Sequence, residues 1–526
     1  MRENERGYRM SFMNAIQNEL LDGDNNVSVT ENGAVGYRTT GKSLLDINFA
    51  VASLRSASEQ DIIRRFTNAF MEDSVLAVKW LFFARDVRGG LGERRLFREA
   101  FKVVEDNVPE KVPALIHLIP EYGRFDDMWP ILDTRFRQEV VSYVSMMLSS
   151  DMTNCALGKP ISLLAKWMPS VNASSHLTTH YAKLLCEGLG MSEKNYRKML
   201  SRLRRYLDVV EVKMSDKRWG DINYEAVPSR ANVIYNNAFL RNDEERRREF
   251  LSRLEKGEAK INSSVLYPHD IVHMYCGGYG WGSSVKKYDS AIEAMWNGLP
   301  DMVEDCGNTI VVADGSGSMN VSVGSTGVRA IEVANALAIY FAEHLSGEFR
   351  DKYITFSERP QFVDFSKVKS LREKLTIAFQ HCECANTNIE AVFNLILNTA
   401  LNNKMKQEDI PANILIISDM EFDSCAVRNG SSDYYGRKRA DANLFKQIEK
   451  TYRQYGYKLP RLVFWNVNSR TGTIPIREND MGVALVSGFS VNICKMVMSG
   501  QTDPFLCLLE TLNVERYQPI EDIMKG

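Results

Sequence analysis

The sequence of 526 residues predicts an α + α/β protein, in which an all-helical N-terminal part is followed by a doubly wound α/β domain. In the first part apolar residues recur at helical spacing, as Ile62 and Phe66 do. After about Pro300, short apolar runs such as 309–313 and 413–419 alternate with amphipathic segments, a pattern typical of a parallel sheet covered on both faces. The hydrophobic fraction of 44% and the charged fraction of 25% are ordinary for a globular protein.

These patterns divide the chain into a polar lead-in at 1–40, a helical domain at 41–300 and an α/β domain at 301–526. Short breaks containing Gly, Pro or Asp separate the helices in pairs, which favours an antiparallel, HEAT-like array, although no fixed repeat period is present. Within the helical domain, helices are expected at 93–105, 110–119, 134–149, 160–168, 176–188, 193–211 and 229–255. In the α/β domain, strands are expected at 309–313, 353–356, 413–419, 461–467 and 483–488, and helices at 329–346, 366–379, 389–401 and 440–455.

Charge and cysteine content narrow the class of protein. The net charge of -2 gives no strong global field, so a surface for nucleic acid or membrane would have to be local. Nine cysteines, an odd number without a CxxC pair, favour free thiols in a reducing compartment. The N-terminus lacks the apolar core of a signal peptide. The sequence also contains no run of about 18 apolar residues, the length needed to span a bilayer. We therefore expect an intracellular, cytoplasmic protein with no membrane partner.

The sharpest motif follows the first buried strand of the α/β domain, where Asp314, Ser316 and Ser318 alternate with glycines. Glycines let such a turn bend tightly, so that the three oxygen-bearing side chains can converge. Thr387 precedes a later helix, and Asp419 ends the most apolar strand. Ligands meet at the carboxyl ends of strands in such a sheet, and oxygen-only ligands suit a hard divalent cation, above all Mg²⁺. The sequence thus predicts a metal site made of these five residues.

The segments DGSGSM, TNI and SDMEF together resemble the metal-ion-dependent adhesion site (MIDAS) of von Willebrand factor A domains, which have a Rossmann-like fold. The resemblance covers roughly 305–500. It implies that Ser316, Ser318 and Thr387 contact the metal and that Asp314 and Asp419 do so directly or through water. It further implies Mg²⁺, or another hard cation such as Mn²⁺ or Ca²⁺, with an open position filled by an acidic side chain from a protein partner.

Two carboxylates, Glu421 and Asp423, lie just beyond the motif. They could tune the electrostatics of the metal site. We expect them instead to be solvated surface residues, because charged side chains are rarely buried without a partner.

The helical half contains further distinctive phrases, among them RDVRGGLGERRLF (85–97), YGRFDDMW (122–129) and YPHDIV (267–272). They resemble an uncharacterised family, defined by a domain of unknown function, that joins a helical region to a von Willebrand factor A domain. The layout is similar to that of the Ro autoantigen, whose TROVE module is a ring of helical repeats that binds small structured RNAs. This resemblance implies a TROVE-like helical domain and an RNA partner.

Local basic clusters offer surfaces for such an RNA. Clustered cations neutralise phosphates and give salt-dependent binding, although solvated helix faces are the simpler explanation of such a pattern. One cluster surrounds a glycine loop and the other recurs at helical spacing, and the candidate RNA-binding residues are Arg85, Arg88, Arg94, Arg95, Arg197, Lys198, Arg202, Arg204 and Arg205.

The sequence as a whole predicts a non-enzymatic binding protein, a Ro-like ribonucleoprotein component whose A domain binds Mg²⁺ and recruits a partner. The alternative is a protein-only scaffold that uses metal-dependent partner binding without RNA. A metal-dependent hydrolase is disfavoured, because the motifs supply one metal and no histidine to act as a general base.

Overall fold

The structure is a computed structural model that describes residues 27–29, 35–261, 266–276, 285–303, 308–324, 327–357, 359–382, 389–421, 444–470, 474, 483–490 and 503–526. The lead-in contributes a short antiparallel hairpin of Val27–Val29 (β1) and Val35–Tyr37 (β2). Thr387 and Asp423 lie outside the described residues.

Helices dominate the chain from Ser43 to Asn297, as the sequence predicts. Several begin at a side-chain cap: the Ser58, Ser175 and Ser192 hydroxyls each accept a backbone N–H of the first turn. The α-helices are Ser43–Leu54 (α1), Glu59–Glu72 (α2), Ser74–Arg85 (α3), Arg94–Asn107 (α4), Val112–Tyr122 (α5), Arg137–Ala156 (α6), Leu164–Trp167 (α7), His176–Gly188 (α8), Glu193–Tyr206 (α9), Val210–Ser215 (α10), Ser229–Ile234 (α11), Asn236–Asn242 (α12), Glu244–Glu255 (α13), Pro268–Tyr275 (α14) and Ser290–Asn297 (α15).

The single helix expected at 229–255 is instead three short helices. The chain leaves helical geometry at Asp243, where φ is −152° and ψ is 51°. The Tyr224 hydroxyl donates a hydrogen bond to the Asp243 carboxylate at 2.8 Å, which holds the carboxylate at this break. Helical periodicity alone does not reveal such a break.

A mixed sheet follows. Its strands within the described residues are Thr309–Asp314 (β3), Lys352–Phe356 (β4), Phe362–Asp364 (β5), Asn413–Ser418 (β6), Arg461–Asn466 (β7) and Val483–Ser487 (β8), in the order β5-β4-β3-β6-β7-β8. The later helices are Ala330–His344 (α16), Leu371–Gln380 (α17), Ile389–Asn402 (α18), Leu444–Gln454 (α19), Pro504–Leu512 (α20) and Gln518–Lys525 (α21). The expected order of a helical region followed by an α/β region is confirmed.

The short edge strand β5 departs from the predicted parallel sheet. All the other pairings in this sheet are parallel, whereas β4 and β5 pair antiparallel. The physical reason is length: the few residues between Phe356 and Phe362 are too short for the crossover that a parallel neighbour needs.

The C-terminal end of the chain returns to the helical half. Lys79 of α3 pairs with Glu521 of α21 at 2.6 Å, and an Arg516 nitrogen donates to Asp86 at 2.9 Å. Residues 503–526, which the sequence boundary places with the α/β domain, thus pack partly on the first helices. In the described part of the chain, no helix has both the length and the apolar character needed to cross a membrane.

Helix α1 lies against the carboxyl edge of the sheet. The Asn466 side-chain amide, at the end of β7, donates to the Phe49 carbonyl at 2.9 Å. The Ala52 N–H donates to the Ser487 hydroxyl at 3.1 Å, so α1 also contacts the end of β8. The loops that follow the parallel strands are therefore held next to the helical half.

Candidate metal centre

The first loop of the site begins where β3 ends, at the buried Asp314. Gly315 allows a close approach there, because a Cβ atom on this residue would lie only 3.0 Å from the Cys382 Cα atom. The chain then makes a tight turn at Gly317–Asn320, which carries Ser318 next to Ser316. The same contact places Cys382 beside the loop, directly before the segment that contains Thr387.

Hydrogen bonds fix Asp314 and the two serines in one cluster. The Asp314 Oδ1 atom accepts the Ser316 backbone N–H at 2.9 Å, and its Oδ2 atom accepts the Ser418 hydroxyl at 2.7 Å. The Ser316 and Ser318 hydroxyl oxygens lie 2.9 Å apart. The structure thus brings together the three residues that the sequence predicts as ligands in this loop: the two hydroxyls are in hydrogen-bond contact, and Asp314 is hydrogen-bonded to the backbone of Ser316.

Asp419, directly after β6, completes this cluster, and the residue is 1% exposed. Its Oδ1 atom accepts the Glu421 N–H at 3.2 Å, but its buried Oδ2 atom has no hydrogen-bond partner among the described residues. Burial, and then repulsion by Asp314, raise the pKa of Asp419 to about 7, against the opposing hydrogen bond from Ser318. A buried carboxylate with an unsatisfied oxygen is a costly arrangement that a bound cation would relieve.

The backbone beside Asp419 is also in an uncommon conformation. Met420 has φ of +61°, in the left-handed region that residues other than glycine rarely adopt. Its N–H donates to the Ser418 hydroxyl at 3.1 Å, which helps to hold this turn. Strained backbone of this kind is frequent at functional sites, because the surroundings must hold it in place.

A third loop, directly after β7, belongs to the site although the sequence analysis did not single it out. The Arg470 N–H donates to Glu421 Oε1 at 2.8 Å, and the Ser469 hydroxyl contacts the same oxygen at 3.4 Å. The Arg470 guanidinium lies 3.6 Å from Asp419 Oδ2. Glu421, expected as a solvated surface carboxylate, is instead buried, because it accepts these hydrogen bonds. The phrase VFWNVNSR resembles the two-part family, but it is not part of the metal-site motif and so did not predict this position.

Of the predicted ligands, the structure brings Asp314, Ser316, Ser318 and Asp419 together; Thr387 lies outside the described residues. No group of three or more His, Cys, Asp or Glu side chains suited to a metal occurs in the described ranges, so a metal here would depend on the serine hydroxyls. The donor set fits a hard cation, since every donor is an oxygen and one buried carboxylate oxygen is unsatisfied.

The first basic cluster is largely engaged by internal ion pairs. Arg85 is 2% exposed and its guanidinium binds the buried Asp127 at 2.7 Å. Arg94 pairs with both Asp126 and Asp127. Arg98 also binds Asp127, at 3.0 Å. The Arg85 side chain is therefore not accessible to a phosphate, and its predicted role in RNA binding is wrong.

Arg88 and Arg95, from the same cluster, are exposed. Arg88 donates to the Glu121 carbonyl at 2.9 Å, and Arg95 donates to the Arg55 carbonyl at 3.2 Å. Arg95 also donates to the Leu54 carbonyl at 3.4 Å. Bonds to neutral carbonyls leave positive charge on the surface at both positions.

The second basic cluster forms an exposed face on α9. Tyr196, Leu200 and Leu203 turn inward on this helix. Arg204 is half-buried and donates to the Met168 carbonyl at 2.7 Å, so its guanidinium is used structurally. The other four basic side chains are exposed and form no ion pair or hydrogen bond with any described residue; we name them the α9 basic face: Arg197, Lys198, Arg202 and Arg205.

Fold and site together define a class of protein in which a helical array packs against the carboxyl edge of an α/β sheet lined with oxygen donors. The chain belongs to the family described as "Domain of unknown function (DUF2828)", whose model matches residues 30–120 and 136–308, about half of the chain. Residues 308–506 match the model described as "Domain of unknown function (DUF7788)". The expected membership of an uncharacterised two-part family is confirmed, whereas the von Willebrand factor A and TROVE resemblances remain predictions.

Two similar proteins add context. "Uncharacterized protein L728" of Acanthamoeba polyphaga mimivirus is 29% identical over 542 aligned positions, which cover 94% of this chain and 89% of the relative. The crystal structure of the Deinococcus radiodurans RO (RSR) protein covers 87% of this chain and 93% of that chain, with 12% identity and a TM-score of 0.41. That score is too low to support an argument about fold or function.

Proposed function

We propose that this protein is a non-enzymatic binding protein whose α/β domain holds a divalent cation, Mg²⁺ first of all, at the carboxyl edge of the sheet. Asp314, Ser316, Ser318 and Asp419 would hold the ion, with Thr387 as a fifth candidate. The observation that supports this most is the buried Asp419 Oδ2 atom, which has no hydrogen-bond partner in the described part of the chain. Native proteins seldom leave a buried carboxylate oxygen without a hydrogen bond, so the atom supports a bound cation in addition to the Arg470 guanidinium, which lies 3.6 Å away.

The proposed partner of this site is a protein that offers an acidic side chain. A bound divalent cation would supply a coordination position for that carboxylate. The side chains around the proposed ion are carboxylates, hydroxyls and one guanidinium, which suit the binding of a cation and then of an anion. Exposure of Asn320, next to the serine turn, gives a partner a way to approach the loop.

Isothermal titration with MgCl₂ tests the metal site. The wild-type chain should bind one Mg²⁺, and Asp419→Asn should weaken binding by about a hundredfold or more, on the order of 2.7 kcal/mol. Asp364→Asn is a matched control, because Asp364 is exposed on β5 and accepts only local bonds from Ser366. Equal affinity of the wild type and Asp419→Asn would refute the site.

An RNA contact through the α9 basic face is the second part of the proposal. Four exposed cations on one helix, without partners among the described residues, form a surface that attracts phosphates. The first basic cluster contributes less, since Arg85 and Arg94 are engaged by aspartates.

Purification at low ionic strength, with an RNase-treated control, tests this contact. We expect co-purifying RNA that is released as salt is raised. Clean protein that also fails to bind added structured RNA would favour the protein-only scaffold instead.

A further inference from the structure

Arg470 occupies a particular position in the candidate metal centre. Its guanidinium Nη2 atom lies 3.6 Å from Asp419 Oδ2, close enough for electrostatic attraction but too far for a hydrogen bond. Asp419 Oδ2 accordingly has no hydrogen-bond partner in the described ranges. The arginine is therefore the cation nearest to the unsatisfied oxygen among the described ion pairs, without being locked to it.

The two partners differ in their freedom to move. The Arg470 side chain is 30% exposed, whereas the Asp419 side chain is 2% exposed. The arginine side chain thus reaches solvent, while the carboxylate is enclosed in the site. Long arginine side chains change rotamer at far lower cost than a packed loop changes its backbone.

The backbone of the Arg470 loop is held by bonds that do not involve the guanidinium. The Arg470 N–H donates to Glu421 Oε1 at 2.8 Å. Asn466 Oδ1 accepts the N–H groups of Asn468 at 3.0 Å and Ser469 at 2.8 Å, and the Asn466 amide donates to Phe49 of α1. The position of the loop therefore does not depend on the contact between the guanidinium and Asp419.

We propose that Arg470 is a built-in counter-cation that competes with the divalent metal for Asp419 Oδ2 and thereby sets the metal affinity of the site. This inference rests on the proposed metal site. A guanidinium and a divalent ion beside the same carboxylate oxygen repel each other, and the repulsion is strong because the surroundings are buried. Metal binding consequently requires the guanidinium to move away from Asp419.

Titration of the full chain with MgCl₂ tests the competition. Arg470→Gln should bind Mg²⁺ about tenfold more tightly than the wild type, on the order of 1.4 kcal/mol. Arg470→Lys keeps the positive charge and should stay close to the wild-type affinity. Arg350→Gln is the matched control: it removes the same charge from a side chain that is 66% exposed, just before β4 at the opposite edge of the sheet, and should change nothing.

The outcomes separate this inference from the metal site itself. Unchanged or weaker Mg²⁺ binding by Arg470→Gln, with an unchanged thermal midpoint, overturns the competition. Tighter binding by Arg470→Gln and Arg470→Lys alike also overturns it, because loss of the charge would then not be the cause. Wild-type affinity in Asp419→Asn would refute the metal site, whatever Arg470 does. Mg²⁺ binding seen only in Arg470→Gln would support the competition.

Discussion

Two buried aspartates in different halves of the molecule show how differently one residue type can be used. Asp127 is 2% exposed and Asp419 is 1% exposed. Burial alone would raise the pKa of Asp127, but Arg85 and Arg98 lower it below its ordinary value. At Asp419 burial, and then the neighbouring Asp314, raise the pKa to about 7. The charge of the Asp127 carboxylate is neutralised by arginines within the protein. The Asp419 carboxylate has only one guanidinium nearby and no hydrogen bond to its Oδ2 atom among the described residues.

The difference teaches how a structural carboxylate can be told from a functional one. Asp127 Oδ1 accepts the Arg94 Nε–H at 3.1 Å and the Arg98 Nε–H at 3.0 Å, and Arg85 binds the other oxygen. Asp419 has only a guanidinium at 3.6 Å beside its unsatisfied oxygen. The complete pairing of Asp127 fits a role in holding helices together, whereas the incomplete pairing of Asp419, in a cluster of oxygen donors at the sheet edge, fits a ligand.

The largest effect on stability should come from a substitution at Asp127, whose carboxylate is fully paired. Asp127→Asn removes the charge that pairs with Arg85 and leaves a buried guanidinium uncompensated. We expect a loss of about 3–5 kcal/mol in the free energy of unfolding, measured by urea denaturation. Asp126→Asn should cost less, because Asp126 is more exposed. A loss below about 1 kcal/mol for Asp127→Asn would show that this carboxylate does not stabilise the helical half.

The second effect is a pH dependence at Asp419. Because its pKa is raised from 3.8 to about 7, the folded chain holds this proton more tightly than the unfolded chain between those values. Metal-free stability should therefore fall as pH rises through this window, and between pH 5 and pH 8 the loss should be roughly 2–3 kcal/mol, at about 1.4 kcal/mol per pH unit up to the folded-state pKa. Asp419→Asn should lack this component, so the difference between the two unfolding curves at pH 5 and pH 8 measures it. Parallel curves would show that Asp419 is not destabilised by its surroundings.

The third effect concerns the α9 basic face, whose cations lack partners among the described residues, as Asp419 Oδ2 does. Arg202→Gln combined with Arg205→Gln should weaken binding of a structured RNA by about tenfold. The slope of log affinity against log salt should fall by about 1 for each removed cation. Filter binding at several salt concentrations measures both quantities.

The control for that measurement is Arg248→Gln combined with Arg253→Gln on α13. Arg248 pairs with Glu244 and Arg253 with Glu225, so these exposed arginines already have acidic partners. An equal loss of RNA affinity in the two double variants would show that net charge, and not the α9 basic face, governs binding.

The smallest effect should come from Ser418→Ala, which removes the hydroxyl donor to Asp314 Oδ2. The loss of this buried hydrogen bond should lower the free energy of unfolding by about 1 kcal/mol. Ser53→Ala, which removes a hydroxyl bonded only within its own helix, is the comparison. A larger loss in Ser53→Ala would contradict the importance of the Ser418 contact.

Much of the fold could be predicted because buried parallel strands are written as continuous apolar runs. The runs expected at 309–313 and 413–419 match Thr309–Asp314 and Asn413–Ser418 to within a residue. The edge strand β5 was missed, since it buries only Val363 and so leaves too little pattern to recognise. The packing of residues 503–526 on the first helices depends on tertiary contacts that periodicity does not encode.

Only those residues of the site that belong to the metal-site motif could be predicted from the sequence. Asp314 and Asp419 end neighbouring strands, so their convergence follows from the sheet. Arg470 enters the site through the fold, from a loop that is not part of the metal-site motif. The burial of Arg85 was equally hidden, because its partner Asp127 lies 42 residues away in the sequence.

The central claim is that Asp419 Oδ2 lacks a hydrogen-bond partner among the described residues and that a divalent cation binds this oxygen. The most direct measurement is the thermal midpoint of unfolding of the wild type and of Asp419→Asn at pH 8, with and without MgCl₂. A cation that binds the folded state alone must raise that midpoint. We predict that Mg²⁺ raises the midpoint of the wild type and leaves that of Asp419→Asn unchanged. Equal shifts in both proteins, or none in the wild type, would contradict the account.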